Sequence, residues 1–291
     1  MLLALTTLGG IAHASPPSPE ADVIMVSASS SHRGVADDYL VLPEGGELTG
    51  QMRFVTAEPS LGGKALSFSD LALFGLSTRW SLGRHVELSG GVELLPKQPS
   101  YTSESTWQGA GAGLKVMIGT RSAIALGADL GPLLDHDGRF YRASASVEHR
   151  VPIHDFLTFD LRGGADTVSV LDPSRRAMVA EAAGEARALF HSDRGEWGGW
   201  VGLGYAVPFA HSGEDPTTQM SVDPRPRLDF HIGSVLALVQ EWDLFVDYAV
   251  IDRGDLSNPA TRLPILDGGF DQRQIVFGVT RHVGGRSNGG S

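Results

Sequence analysis

The sequence predicts an all-β fold: an up-and-down antiparallel transmembrane β-barrel of about twelve strands, with short turns at one end and long loops at the other. Three observations predict it. Apolar and polar residues alternate with period two along most of the chain. Short and long connections alternate in their turn. The alternating segments are long enough to cross a bilayer.

Val86 to Leu94 shows the period: Val86, Leu88, Gly90, Val92 and Leu94 form one set, Glu87, Ser89, Gly91 and Glu93 the other. A strand places two such sets on opposite faces. The first segment, Glu47 to Ala57, carries Leu48, Met52 and Phe54 on its apolar face, and the next carries Phe74, Leu76, Trp80 and Leu82. Beyond Val86–Leu94 follow Ala110, Ala112, Leu114, Val116 and Ile118, then Ile124, Leu126, Ala128 and Leu130, then Leu157, Phe159 and Leu161. Val201, Leu203, Tyr205, Val207 and Phe209 continue the pattern, as do Leu228, Phe230, Ile232, Leu236 and Leu238. Leu244, Val246, Tyr248 and Val250 come next, and Ile275, Phe277, Val279 and Val283 close it. The only formal charge on this face is Arg281, near a segment end. The intervening positions are charged, polar or small.

One apolar and one polar face fit either a soluble sandwich, apolar side inward, or a membrane barrel, apolar side outward. The connections separate the two. Gly83-Arg84, Thr120-Arg121-Ser122, Ile153-His154-Asp155, Ser192 to Glu196 and Gln240-Glu241 are tight, while Pro59 to Ser67, Pro96 to Ser105, His211 to Pro226 and Arg253 to Asp271 are long. Segments of about 10 to 13 residues match a tilted bilayer crossing (~9–11) better than the usual soluble strand (~5–6). Trp80, Phe190, Trp197 and Trp242 fall beside the short turns, and Tyr141 and Phe209 near the long loops, as two interfacial belts would have it.

This pattern resembles that of bacterial outer-membrane β-barrel proteins over roughly residues 47 to 283. The last segment, Gln274 to Val283, resembles the closing strand that barrel-assembly machinery reads in that class, although members commonly end on an aromatic residue and here a Gly/Ser tail follows. The resemblance implies a bacterial outer-membrane location, outer-membrane lipid around the barrel and the assembly machinery as a partner during insertion.

Composition agrees. With 42 % apolar residues the chain is not wholly disordered, and a net charge of −11 has the wrong sign for a nucleic-acid partner. The absence of cysteine excludes disulfides, thiolate metal sites and a Cys nucleophile. Met1 to Ala12 followed by Ala12-His13-Ala14 reads as a signal peptide, residues 1–14. Residues 15–46 read as an N-terminal periplasmic extension with order at Val23–Ser27 and Tyr39–Leu42, 47–283 as the barrel and 284–291 as a flexible tail. Ala177 to Phe190 is ambiguous. Asp172-Pro173 could start a helix there, with Met178, Ala182, Ala186 and Leu189 as its stripe, but a strand keeps the count even and is preferred.

Few motifs carry chemistry. Gly109-Ala110-Gly111-Ala112-Gly113 lies inside an alternating segment, not between strand and helix as a dinucleotide site requires. Asp135-His136-Asp137, in an outer loop, resembles half of the rim site of omptin-type proteases, and Arg253-Gly254-Asp255 is an adhesion-like tripeptide. A barrel phospholipase would need an outward Ser beside an outward His; His149 is outward, and no serine is assigned to it.

The informative constellation is the polar face. It turns the acids Glu87, Glu93, Asp129, Glu148, Asp160 and Asp166 inward, then Glu181, Glu185, Asp229, Asp243 and Asp247. The inward bases are Arg53, Arg79, Lys115, Arg142, Arg150, Arg162 and Arg187. Such charges either pair or face water. Gly75, Gly111, Gly113, Gly127, Gly202 and Gly204 are expected to leave free volume among them. The expectation is a narrow wet lumen with slight cation preference, in a monomeric barrel passing small polar solutes or ions. The alternative is a non-conducting structural or adhesive barrel acting through its outer loops, and third comes a rim hydrolase. No catalytic residue, metal or cofactor is assigned.

Overall fold

Twelve strands, each hydrogen-bonded to its sequence neighbours, close on themselves in the computed structural model of the chain. The structure describes residues 40–42, 44–58, 72–94, 107–132, 139–171, 176–192, 196–213, 226–239, 241–252 and 271–284. The strands are β1 (Gly46–Glu58), β2 (Ala72–Ser81), β3 (Val86–Leu94), β4 (Trp107–Met117), β5 (Ser122–Pro132) and β6 (Arg139–His154). They continue as β7 (Leu157–Leu171), β8 (Arg176–His191), β9 (Trp197–Gly213), β10 (Arg227–Val239), β11 (Trp242–Asp252) and β12 (Asp271–Val283). The segment expected as signal peptide, most of the expected N-terminal extension and most of the expected tail lie outside the described residues.

Closure is made by β1 and β12, paired antiparallel from Gly46↔Val283 to Glu58↔Asp271. Every strand thereby has two hydrogen-bonded neighbours, which is what hydrocarbon demands, since it cannot satisfy an open edge. The even count brings both barrel ends to the short-turn rim. The stretch at 177–190 is strand: β8 pairs along its length with both β7 and β9. Cross-strand pairing on both sides outweighs the helix propensity of its alanines and glutamates.

The alternation resolves as apolar outside, polar inside. Leu48, Met52, Leu88, Leu126, Leu203 and Phe230 are exposed on the outer wall, while Glu47, Gln51, Arg53, Glu87 and Lys115 are buried in the interior. On the neighbouring strands β9 and β10, for example, the outward Leu203 is 55 % accessible and the inward Asp229 6 %. A water-soluble barrel with this arrangement would expose its greasiest residues and bury its charges; only a lipid surround makes it favourable. The outward charges lie near strand ends: Arg139, Arg176 and Arg273 are exposed toward the long-loop end, and Arg281 lies 5.6 Å over the Trp242 ring and 3.4 Å from Glu241, at the rim where an arginine can reach water.

Two features differ from the expected layout. β6 to β9 run to 15–17 residues, longer than the expected segments. The long-loop end is uneven as well: β7 and β8 are joined by residues 172–175 alone. The extra ladder on this side continues where a loop was expected, so the wall projects further there than at β2–β4.

The lipid-facing assignment predicts that Leu203→Arg costs about 2–4 kcal/mol of folding stability if it lies near the bilayer midplane. Urea titration of refolding into vesicles measures it, and the loss shrinks toward zero in a comparable Phe209→Arg variant near the rim.

Candidate functional site

The site is the barrel interior. Its side chains come from alternate positions of all twelve strands, so neighbouring strands place their charges within reach of one another. At the short-turn end these form a connected series. Asp243 on β11 meets His282 on β12 at 2.7 Å, and His282 approaches Glu47 on β1 at 3.3 Å. Glu47 binds Arg79 on β2 at 3.0 Å, and Arg79 binds Glu87 on β3 at 2.6 Å. Next to Glu87 in register stands Lys115 on β4, whose ammonium reaches Glu148 on β6 at 2.9 Å. Arg150 and Asp160 extend the series with two bonds of 2.8 Å, and Arg162, Glu185 and Arg187 carry it to β8.

Nearer the long-loop end stand further pairs. Arg53 meets Glu93 at 3.0 Å, Arg142 holds Asp166 through two bonds, and Arg227 lies between Glu181 at 3.3 Å and Asp229 at 3.0 Å. Asp129 stands opposite Arg142 in register. Asp247 accepts the Trp200 indole N–H at 2.8 Å, with His231 3.9 Å away. Almost all of these groups are nine-tenths or more buried.

Glycine does something other than expected in this interior. A Cβ on Gly75 would meet the Gln51 side chain, one on Gly111 the Asp129 carboxylate, one on Gly204 the Asp229 side chain. The space above each glycine is therefore occupied by the inward side chain of the next strand. Gly233 and Gly278 do the same for two rings: a Cβ there would collide with the Trp200 indole and the Phe245 ring.

Those rings belong to an apolar cluster within the lumen, formed by Leu189, Trp200, Val235, Phe245 and Val276 of β8 to β12. It fills the short-turn half of that side. Above it, a small open space remains among β6 to β10, with Arg142, Arg162, Asp166, Glu185, Arg227 and His231 in its lining.

No protein-family model matches the chain, and no curated protein matches it in sequence. Solved structures do match. The translocator domain of the autotransporter NalP from Neisseria meningitidis overlays with a TM-score of 0.52 at 11 % identity, over 86 % of this chain and 92 % of that one. The fold is that of an outer-membrane β-barrel. An outer membrane channel from Pseudomonas putida F1 gives 0.49 at 13 % identity, over 83 % and 97 %. The NanC porin gives 0.49 at 9 %, over 80 % and 98 %. At such identities only the fold is shared.

Each expected inward charge points into this outer-membrane barrel's lumen. The structure adds Glu47, Arg227, His231 and His282 as full members of the ion-pair system. Glu47 follows from the parity of Leu48. Arg227 sits between the expected long connection, His211 to Pro226, and the apolar set that starts at Leu228, and it is 1 % exposed. Outside, Trp80, Trp197 and Trp242 are exposed at the short-turn rim with Phe190 half-buried beside them, and Tyr141 and Phe209 are exposed toward the other end.

The remaining motifs contribute little. Gly109–Gly113 is β4, paired on both sides. Asp135-His136-Asp137 and Arg253-Gly254-Asp255 lie outside the described residues. His149 does have an outward serine: Ser122 Oγ is 2.8 Å from its Nδ1. In serine hydrolases the serine faces Nε2 and the acid faces Nδ1, so this pair has the imidazole reversed and acts as a cross-strand tie.

Because Glu93 is fully buried against Arg53, Arg53→Ala is expected to cost about 3–5 kcal/mol by leaving an uncompensated carboxylate. The double variant Arg53→Met/Glu93→Leu should recover most of that loss. Denaturant titration of the two variants side by side checks the pairing.

Proposed function

We propose that the protein resides in the bacterial outer membrane as a monomeric, narrow channel for small ions and small polar solutes, constricted by its own paired charges. The observation that carries the reading is a small open space inside β6–β10, lined by charges of both signs and bounded by an apolar outer wall. Water and ions are stabilised there by guanidinium and carboxylate groups that the lipid outside could not offer. Buried carboxylates outnumber buried guanidinium and ammonium groups, which favours cations.

A second reading rests on the ion pairs themselves. A lumen so fully paired could serve only to hold the barrel rigid while the outer loops act. Planar-bilayer recording of folded protein, verified by its shift on an unheated gel, separates the two. The channel reading expects small current steps and a reversal potential displaced toward the cation in a salt gradient. Arg142→Ala/Asp166→Ala, which removes the β6–β7 pair beside the open space, should enlarge the steps. No openings from either folded protein would overturn the channel and leave the structural barrel.

A further inference from the structure

Before β1 begins, residues 40–42 lie inside the barrel. Leu40, Val41 and Leu42 are three consecutive apolar residues, and all three are buried, at 6 %, 3 % and 3 % exposure. Their backbone is held by inward-facing charges. The Leu42 N–H donates to Glu87 Oε2 at 2.9 Å, and Lys115 Nζ donates to the Leu40 carbonyl at 3.0 Å. Glu87 and Lys115 stand near the short-turn ends of β3 and β4, so the strap lies just inside that mouth. Gly45, at φ +73°, makes the reversal from strap to β1, and a side chain there would strike the Val283 carbonyl.

The strap takes the arc of the mouth bounded by β1 to β4. The cluster of Leu189, Trp200, Val235, Phe245 and Val276 takes the arc bounded by β8 to β12. With the Lys115–Glu148 and Arg150–Asp160 pairs in the arc between them, they occupy the short-turn half of the lumen beneath the open space. The two closures differ in kind. The cluster is built into wall strands, each fixed by two neighbours. The strap lies outside the sheet ladder, and the hydrogen bonds of the Leu42 N–H and the Leu40 carbonyl are to side chains that already have other partners, Arg79 for Glu87 and Glu148 for Lys115. Those partners remain when the strap leaves, so its departure orphans neither charge.

We infer that Leu40–Leu42 is a tethered stopper of the short-turn mouth, and that passage through this end of the barrel requires the strap to leave its seat between Glu87 and Lys115. The inference rests on the channel reading. It assigns to the segment before β1 a control over conduction that the wall strands cannot exert.

The chain has no cysteine, so Val41→Cys provides a single thiol on the strap. In full-length protein folded in detergent, a water-soluble maleimide should label it slowly. Leu42→Pro removes the N–H that Glu87 accepts, and loss of one such bond shifts the seated population about tenfold. Labelling of Val41→Cys/Leu42→Pro should quicken by about that factor, and the open fraction of Leu42→Pro in planar bilayers should rise with it. Replacing all three strap residues by serine, which leaves the barrel strands untouched, should do the same. Val41→Cys that labels at the rate of a free thiol in the otherwise native chain would overturn the seat. Freed straps with wild-type currents would overturn the stopper while the channel stands. Folded variants and wild type that all fail to conduct would remove the channel reading and the stopper with it.

Discussion

An ionisable group turned into the lumen has no bulk solvent beside it and no exit through the lipid-covered wall. It is stabilised by other groups in the same confined space or by the water that enters it. This constraint organises the interior. Arg79 is shared by Glu47 and Glu87, Arg227 by Glu181 and Asp229, and Glu185 by Arg162 and Arg187. The partners come from different strands, so the pairs also pin the register of the wall. A one-residue slip of β2 would send Arg79 to lipid and Trp80 to the lumen, a change that no local rearrangement could absorb.

Packing follows from the same confinement. A twelve-stranded barrel has more internal room than an eight-stranded one, in which side chains suffice to fill the interior. Here the charged side chains lie flat against neighbouring strands, and glycines receive them. Gly111 under Asp129 and Gly204 under Asp229 are examples. Glycine therefore brings charges close to the wall and to their partners, and the open space that is left lies among the longer strands β6 to β10.

Much of this was legible in the residues. Period two, segment length and connection length specify an outward apolar face, and one outward residue per strand sets the parity of all the rest. Leu88 thus places Glu87, and Leu114 places Lys115. Ion-pair partners were not legible, because they depend on which strands are neighbours and on their stagger. The inward aromatic residues escaped for a different reason. Phe245 sits between Asp243 and Asp247 in a set that reads as polar, and Trp200 adjoins a glycine-rich run. Their trace in the sequence is the glycine on the next strand, Gly278 and Gly233, which can be matched only once the register is known.

The strap shows the limit of pattern reading most clearly. Leu40-Val41-Leu42 has no alternation to orient it, since all three side chains are buried. Three apolar residues inside a charged lumen would be costly in isolation. Their seat works because the backbone, not the side chains, meets the charges, through the Leu42 N–H and the Leu40 carbonyl. The polar atoms of the strap thereby satisfy Glu87 and Lys115 as a water molecule would, while its leucines and valine displace water from the mouth. A segment bound in this way competes directly with hydration of the lumen. Whatever wets the short-turn end weakens the strap, and whatever dries it holds the strap in place.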